Sequence, residues 1–212
     1  MKAESIIFDL DGTLWDSSEN VASSWNNTIE ASRLPGVTGV KLSGADIRGV
    51  MGLTMDVIAA KFFPKLSPEA QIELMEKCSE NENDFLAGCG GRLYEGEEET
   101  LKELARSHRL FIVSNCQQGY IETYLEYSGF EHYFTDYLCW GDTGLTKGET
   151  IAELMKRRNI TNAAYVGDTA SDMQAARAAG IPFVHALYGF GHIEGDIVRA
   201  EKISDLVGIF NE

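Results

Sequence analysis

The chain has 212 residues, 44% hydrophobic and 24% charged, a balance that suits a soluble globular protein of one domain or of one domain with an insertion. No apolar run approaches the roughly 18 residues of a membrane span, and "MKAESIIF" reaches an acid too early for a signal peptide, so a cytoplasmic location is expected. A formal net charge of -15, from 33 acidic against 18 basic residues, repels nucleic acid and anionic membranes, and four scattered cysteines without a C-x-x-C pair suggest neither a zinc site nor a disulfide framework.

In chain order, the first element is "SIIFD" (5–9), a continuous apolar run of the kind found in buried parallel strands. It ends in acid: Asp9 and Asp11 stand two residues apart, followed by Gly12. Residues 17 to about 86 contain no comparable strand. Val21, Trp25 and Ile29 recur every four residues, and "TMDVIAAKFF" has Met55, Ile58, Ala59 and Phe62 in helical spacing. "SPEAQIELMEK" opens with Ser67 as N-cap and Pro68 at the first helical position. A helical insertion is therefore expected over 17–87, within a core formed by 1–16 and 88–212. Its exit, "LAGCGGRLYEG", places Gly88, Gly90 and Gly91 in a short loop that reads as a hinge or tight linker, because no lysine or helix start follows at P-loop spacing.

From there helix and strand alternate. "EEETLKELARSH" is an amphipathic helix, "RLFIVSN" (109–115) a strand, "YLCW" (137–140) a weaker one, and "ETIAELMKRR" a second helix. "AAYVGD" (163–168) is the next strand, "SDMQAARAAG" a helix closed by Gly180, and "IPFVHAL" (181–187) the last strand. The alternation predicts an α/β layered sheet.

In such sheets ligands sit beyond the carboxyl ends of the strands. Asp9 and Asp11, Ser114 and Asn115, and Asp168 with Asp172 should therefore meet there. Carboxylates clustered without a partner repel and titrate upward, and a divalent cation with a taste for hard oxygen ligands relieves that repulsion. Asp-Gly is also a hairpin signal and Ser-Asn after a strand also a turn or cap, so each pair alone fits a bland reading. The set taken together favours a site.

"DLDGT" (9–13), "VSN" (113–115), Lys147 in "TKGE" and "GDTASD" (167–172) resemble the four motifs of the haloacid dehalogenase superfamily, in chain order. "YVGDTASDMQAARAAGIPF" followed by "YGFG" (188–191) is similar to its phosphoglycolate phosphatase-like branch, whose fold is a Rossmann-like parallel sheet with an inserted α-helical cap domain. The resemblance implies a hydrolase for small phosphomonoesters, phosphoglycolate-like or sugar-phosphate-like. Asp9 would be the nucleophile that forms an aspartyl phosphate, and Asp11 the general acid and then base. Mg²⁺ would be held by Asp9, the Asp11 main-chain carbonyl and Asp168, with Asp172 orienting ligands from behind. Ser114 and Asn115 would bind the phosphoryl oxygens and Lys147 offset charge between phosphate and Asp9. Gly148 and Glu149 stand where many relatives have a proline, which predicts a looser lysine loop.

Arg48 in "IRGVMG" is placed like the cap-loop cation that, in relatives, reaches the distal end of the substrate; a solvated surface arginine fits as well. Trp15 reads mainly as packing, and the four histidines share no ligand spacing. The implied partner is a small phosphate ester, with no nucleic acid or membrane, for a monomer or weak homodimer. A phosphomutase using the same aspartyl phosphate is the alternative, and a non-catalytic protein on this fold a weaker one. Asp11 argues against a metal-free dehalogenase.

Overall fold

The computed structural model describes residues 1–211. The first strand, β1 (Ser5–Phe8), is buried at every residue. Its side chains alternate between two cores: Ile6 and Phe8 pack on one face of the sheet, Ile7 on the other. A short β2 (Trp15–Asp16) leads into α1 (Ser18–Ser32), then α2 (Gly44–Arg48), α3 (Met55–Phe62) and α4 (Pro68–Cys89). This is the expected helical stretch. The every-fourth-residue stripe of Val21, Trp25 and Ile29 is buried in one core with Leu74, Met75, Cys78 and Leu86 of α4.

The last of these helices runs further than the three glycines suggest. Gly88 lies inside α4, and only Gly90 and Gly91 make the turn, because the buried stripe of α4 continues to Leu86 and carries the helix past it. Gly90 has φ of +59°, and a Cβ there would collide with the Tyr127 ring, so both backbone conformation and close approach call for glycine. The chain returns through β3 (Arg92–Leu93), which pairs antiparallel with β2, Trp15 opposite Leu93 and Asp16 opposite Arg92. The two connections of the helical block are thus one two-stranded ribbon.

The remainder alternates as the sequence indicates: α5 (Glu97–Leu104), β4 (Arg109–Ser114), α6 (Tyr120–Ser128), β5 (Phe134–Cys139), α7 (Trp140–Thr143), α8 (Lys147–Arg157), β6 (Ala163–Gly167), α9 (Ala170–Ala178), β7 (Phe183–Ala186), β8 (Arg199–Ala200) and α10 (Asp205–Asn211). The six long-range strands form one parallel sheet in the order β5-β4-β1-β6-β7-β8. Four elements of this part lie outside the sequence reading: α6, α7, β8 and α10, with Trp140, read as the end of a strand, opening α7. The tyrosines of α6 soften its apolar stripe of Tyr120, Ile121, Tyr124 and Leu125, and β8 is two residues long. Among the described residues no helix is long and apolar enough to cross a membrane.

Candidate active site

Central placement of β1 decides what meets at the carboxyl edge. Phe8 stands opposite Ile112 of β4 on one side and Val166 of β6 on the other, so the residues that follow these strands emerge together. Asp9, Asn115 and Asp168 are those residues, and the Asp9 N–H donates to the Val166 carbonyl at 2.8 Å. Register alone brings together groups more than a hundred residues apart.

Lys147 is the first residue of α8, and its Nζ lies 2.9 Å from Asp9 Oδ1 and 2.6 Å from Asp172 Oδ1. The loop before it is held, not loose: Thr146 and Glu149 close a capping box, so the glutamate found where relatives carry a proline region secures the helix start. The Lys147 ammonium is buried, which opposes its charge, but Asp172 and then Asp9 more than offset this and keep it protonated. Asp172 spends its other oxygen, Oδ2, on the Thr169 N–H at 2.9 Å and hydroxyl at 2.6 Å, in a second capping box at the start of α9. Both its oxygens are engaged.

Asp168 is fully buried. Its Oδ2 accepts the Phe190 N–H at 2.7 Å and the Gly191 N–H at 3.3 Å, from the "YGFG" loop, whereas Oδ1 has no hydrogen-bond donor. Gly12 permits this approach. Its φ is +76°, and a Cβ there would run into Asp168 Oδ2. Burial first, and the neighbouring Asp172 carboxylate second, raise the Asp168 carboxyl to about 7. The same two causes push Asp9 upward, with Lys147 pulling it back.

Ligand oxygens of Asp9, Asp168 and Asp172, all buried, lie within 4.8 Å of one another. On that donor set a small hard divalent cation fits. Three carboxylates converge, the free Asp168 Oδ1 lacks a donor, and a cation would relieve the repulsion that raises two of them. Asp172, with both oxygens engaged, is the least available of the three.

Asp11 is turned toward a different set of partners. Its Oδ1 accepts from the Tyr120 hydroxyl at 2.8 Å, the Ser17 hydroxyl at 3.0 Å and the Trp15 indole N–H at 3.1 Å. Burial raises its carboxyl to about 6 against the lowering effect of these three donors. Trp15 is therefore more than packing: fully buried, it also fixes Asp11.

Asp9 and Asp11 line a narrow cavity of about 40 Å³ between the sheet edge and the helical block. Ser114 and Asn115 line it. The Asn115 amide donates to the Gly52 carbonyl at 2.8 Å, tying the sheet edge to the loop after α2. Arg48, expected at the distal end of the substrate, is not among the lining residues. Its guanidinium bonds Ser18 Oγ at 2.6 Å, Glu19 Oε1 at 3.0 Å and Asp16 Oδ2 at 3.5 Å, clamping α2 to the start of α1.

Sequence reasoning missed four residues at this site: Ser17, Glu82, Gln117 and Tyr120. Glu82 had a signal. It stands four residues from both Cys78 and Leu86, in phase with the buried stripe of α4.

The model of the haloacid dehalogenase-like hydrolase family matches residues 6–186. A phosphoglycolate phosphatase of Vibrio vulnificus is 32% identical over 200 residues, 89% of this chain and 86% of its own length. One of Vibrio cholerae is 30% identical over 221 residues, 98% of this chain and 95% of its own. Among solved structures, a haloacid dehalogenase-like hydrolase of Streptococcus pneumoniae superposes with a TM-score of 0.81 at 22% identity, covering 98% of each chain. The chain belongs to the haloacid dehalogenase-like hydrolases, as its four motifs imply.

Proposed function

We propose that this haloacid dehalogenase-like hydrolase is a Mg²⁺-dependent phosphatase that cleaves a small phosphomonoester through an aspartyl phosphate on Asp9. One observation carries the reading most of the way: Lys147 stands 2.9 Å from Asp9 at the floor of a cavity that Ser114 and Asn115 also line. A cation beside a buried carboxylate favours its ionised form and offsets its charge toward an approaching phosphate. The relatives named above act as phosphoglycolate phosphatases, which supports the same chemistry here.

The steps follow from what each group can hold. An Asp9 oxygen forms a bond to phosphorus while the bond to the ester oxygen breaks, and the Asp11 carboxyl gives its proton to the departing alkoxide. A water then attacks the phosphorus of the acyl phosphate, Asp11 takes the water's proton, and Asp9 is released with inorganic phosphate. An acid raised to about 6 is suited to both directions near neutral pH. Tyr120, Ser17 and Trp15 hold Asp11 in position, and Ser114 with the Asn115 main-chain N–H would bind the phosphoryl oxygens. Asp9, Asp168 and the Asp11 carbonyl would hold Mg²⁺, which when bound neutralises phosphoryl charge. Asp172 fixes Lys147 and the start of α9 from behind.

Residues 17–87 we read as a cap domain on the core of 1–16 and 88–212, hinged at the β2–β3 ribbon. Release of inorganic phosphate from a panel of small phosphomonoesters tests the reading. Turnover that stops with EDTA and returns with Mg²⁺ is expected. Conversion of an ester to its positional isomer without phosphate release would replace it with the phosphomutase alternative.

A further inference from the structure

The distal wall of the cavity has its own chemistry. Val21, Ile47, Val50, Leu53, Met55 and Ile58 make most of it apolar. Its polar part is a pair from opposite sides: Glu82 of α4 and Gln117, three residues beyond the end of β4. Glu82 is 2% exposed. Its Oε2 accepts the Trp25 indole N–H and its Oε1 the Gln117 amide at 3.0 Å. The Gln117 amide also donates to Asn83 Oδ1 at 3.1 Å, and the Asn83 amide is itself committed to the Gln118 carbonyl at 2.9 Å. With both amide hydrogens of Gln117 on acceptors, its oxygen orientation is fixed. That oxygen is buried, lies in a residue of the cavity wall, and has no donor.

The wall therefore offers one unmet acceptor, the Gln117 oxygen, and no cation. Among the described residues, no Arg, Lys or His lines the cavity, whereas Asp9, Asp11 and Glu82 all do. The nearest ammonium, Lys147, already serves two carboxylates. A substrate with a second acidic group would bury it against apolar side chains and Glu82 with nothing to pair it. A group with a hydrogen to give would satisfy the Gln117 oxygen.

We propose that Glu82 and Gln117 are specificity-determining residues that select a small phosphomonoester carrying a hydrogen-bond donor, a hydroxyl or an ammonium, at its distal end and that disfavour a carboxylate there. This rests on the phosphatase reading of the same site, and it separates the chain in preference from its phosphoglycolate phosphatase relatives. The shared chemistry is the donor; charge distinguishes its two sources.

The test compares kcat/KM of the full chain with Mg²⁺ for glycerol phosphate, ethanolamine phosphate, ethyl phosphate, phosphoglycolate and nitrophenyl phosphate. Glycerol phosphate or ethanolamine phosphate should exceed both ethyl phosphate and phosphoglycolate by about tenfold or more, since a site built to bond a polar group rejects analogues without it. Whichever of the two donors leads identifies a hydroxyl or an ammonium. A smaller ratio, or a lead for phosphoglycolate, overturns the proposal while the phosphatase reading stands. Failure on every ester, nitrophenyl phosphate included, overturns both. Gln117→Met should bring the preferred donor ester toward ethyl phosphate, and a ratio that does not move would remove Gln117 as the reader.

Discussion

The carboxyl edge of the sheet and the inner face of the helical block confront each other across one cavity, and they are built in opposite ways. At the sheet edge the charged groups are each held by partners, Lys147 by Asp9 and Asp172, Asp168 by the Phe190 and Gly191 amides, and Asp11 by three donors, while Asp168 Oδ1 and Asn115 Oδ1 are left without a donor. Asp9 and Asp168 follow strands whose register fixes them, and Lys147 and Asp172 sit in the capped first turns of α8 and α9. The block opposite is apolar apart from Glu82, is joined to the core by a two-residue ribbon, and presents to the cavity side chains from several helices. Chemistry that must hold charge in place belongs on the rigid edge. Choice among substrates falls to the polar pair where the two meet, Glu82 on the block and Gln117 beyond β4, where a side chain can change without disturbing the reacting groups.

The largest effect should come from the rigid side. Asp11→Asn leaves the shape and removes the transferable proton, so kcat for an alkyl phosphate should fall by about 10²–10⁴. Nitrophenyl phosphate, whose leaving group needs no proton, should lose much less in the step that forms the phosphoenzyme. Steady-state and single-turnover rates on the two esters check this, and equal losses in both would break the assignment of Asp11 as acid.

A smaller effect, on stability and not on rate, comes from the block. Burial raises the Glu82 carboxyl to about 8, against the lowering influence of Gln117 and Trp25. The unfolded chain would release that proton near the ordinary value of 4.5. Folded protein thus binds the proton more tightly, and the stability this contributes is complete below 4.5 and is lost as pH rises toward and through 8. Glu82→Gln removes the titration. Its melting temperature, taken relative to wild type, should rise by about 10 °C between pH 5 and pH 8.5, because a proton released at about 8 instead of 4.5 is worth about 4 kcal/mol across that span, at 2–4 °C per kcal/mol for a chain of this size. Thermal melts at several pH values would show it. A constant difference would mean that Glu82 titrates as an exposed carboxyl does, and the contrast between the two walls would lose its physical basis.

The same contrast explains what was legible in the sequence. Asp9, Asp11, Ser114, Asn115, Asp168, Asp172 and Lys147 follow apolar runs or open helices, and a parallel sheet has one place for strand ends, so linear order is enough to bring them together. Glu82 sits in "CSENEND", where its neighbours read as a solvated helix face. Its burial depends on Trp25, 57 residues earlier, and on Gln117, 35 residues later. Only its phase with Cys78 and Leu86 hints at the burial. Arg48 was legible as a cation near the cap loop, but not the Asp16, Ser18 and Glu19 acceptors that claim it, because those lie across a tertiary contact. Gly88 was misplaced for a third reason: the packing of α4 outweighs the small cost of a glycine near a helix end.

The central claim, that Asp9 receives the phosphoryl group, is tested most directly by trapping it. The Asp11→Asn protein with Mg²⁺ should be mixed with nitrophenyl phosphate, quenched in acid within one turnover, digested and examined by peptide mass spectrometry. The account predicts one phosphoryl group on the peptide spanning residues 5–14, fragmenting to Asp9, and none when Asp9→Asn is added to the same protein. A phosphoryl group on another residue, or nitrophenol released at the full rate by the Asp9→Asn variant, would contradict it.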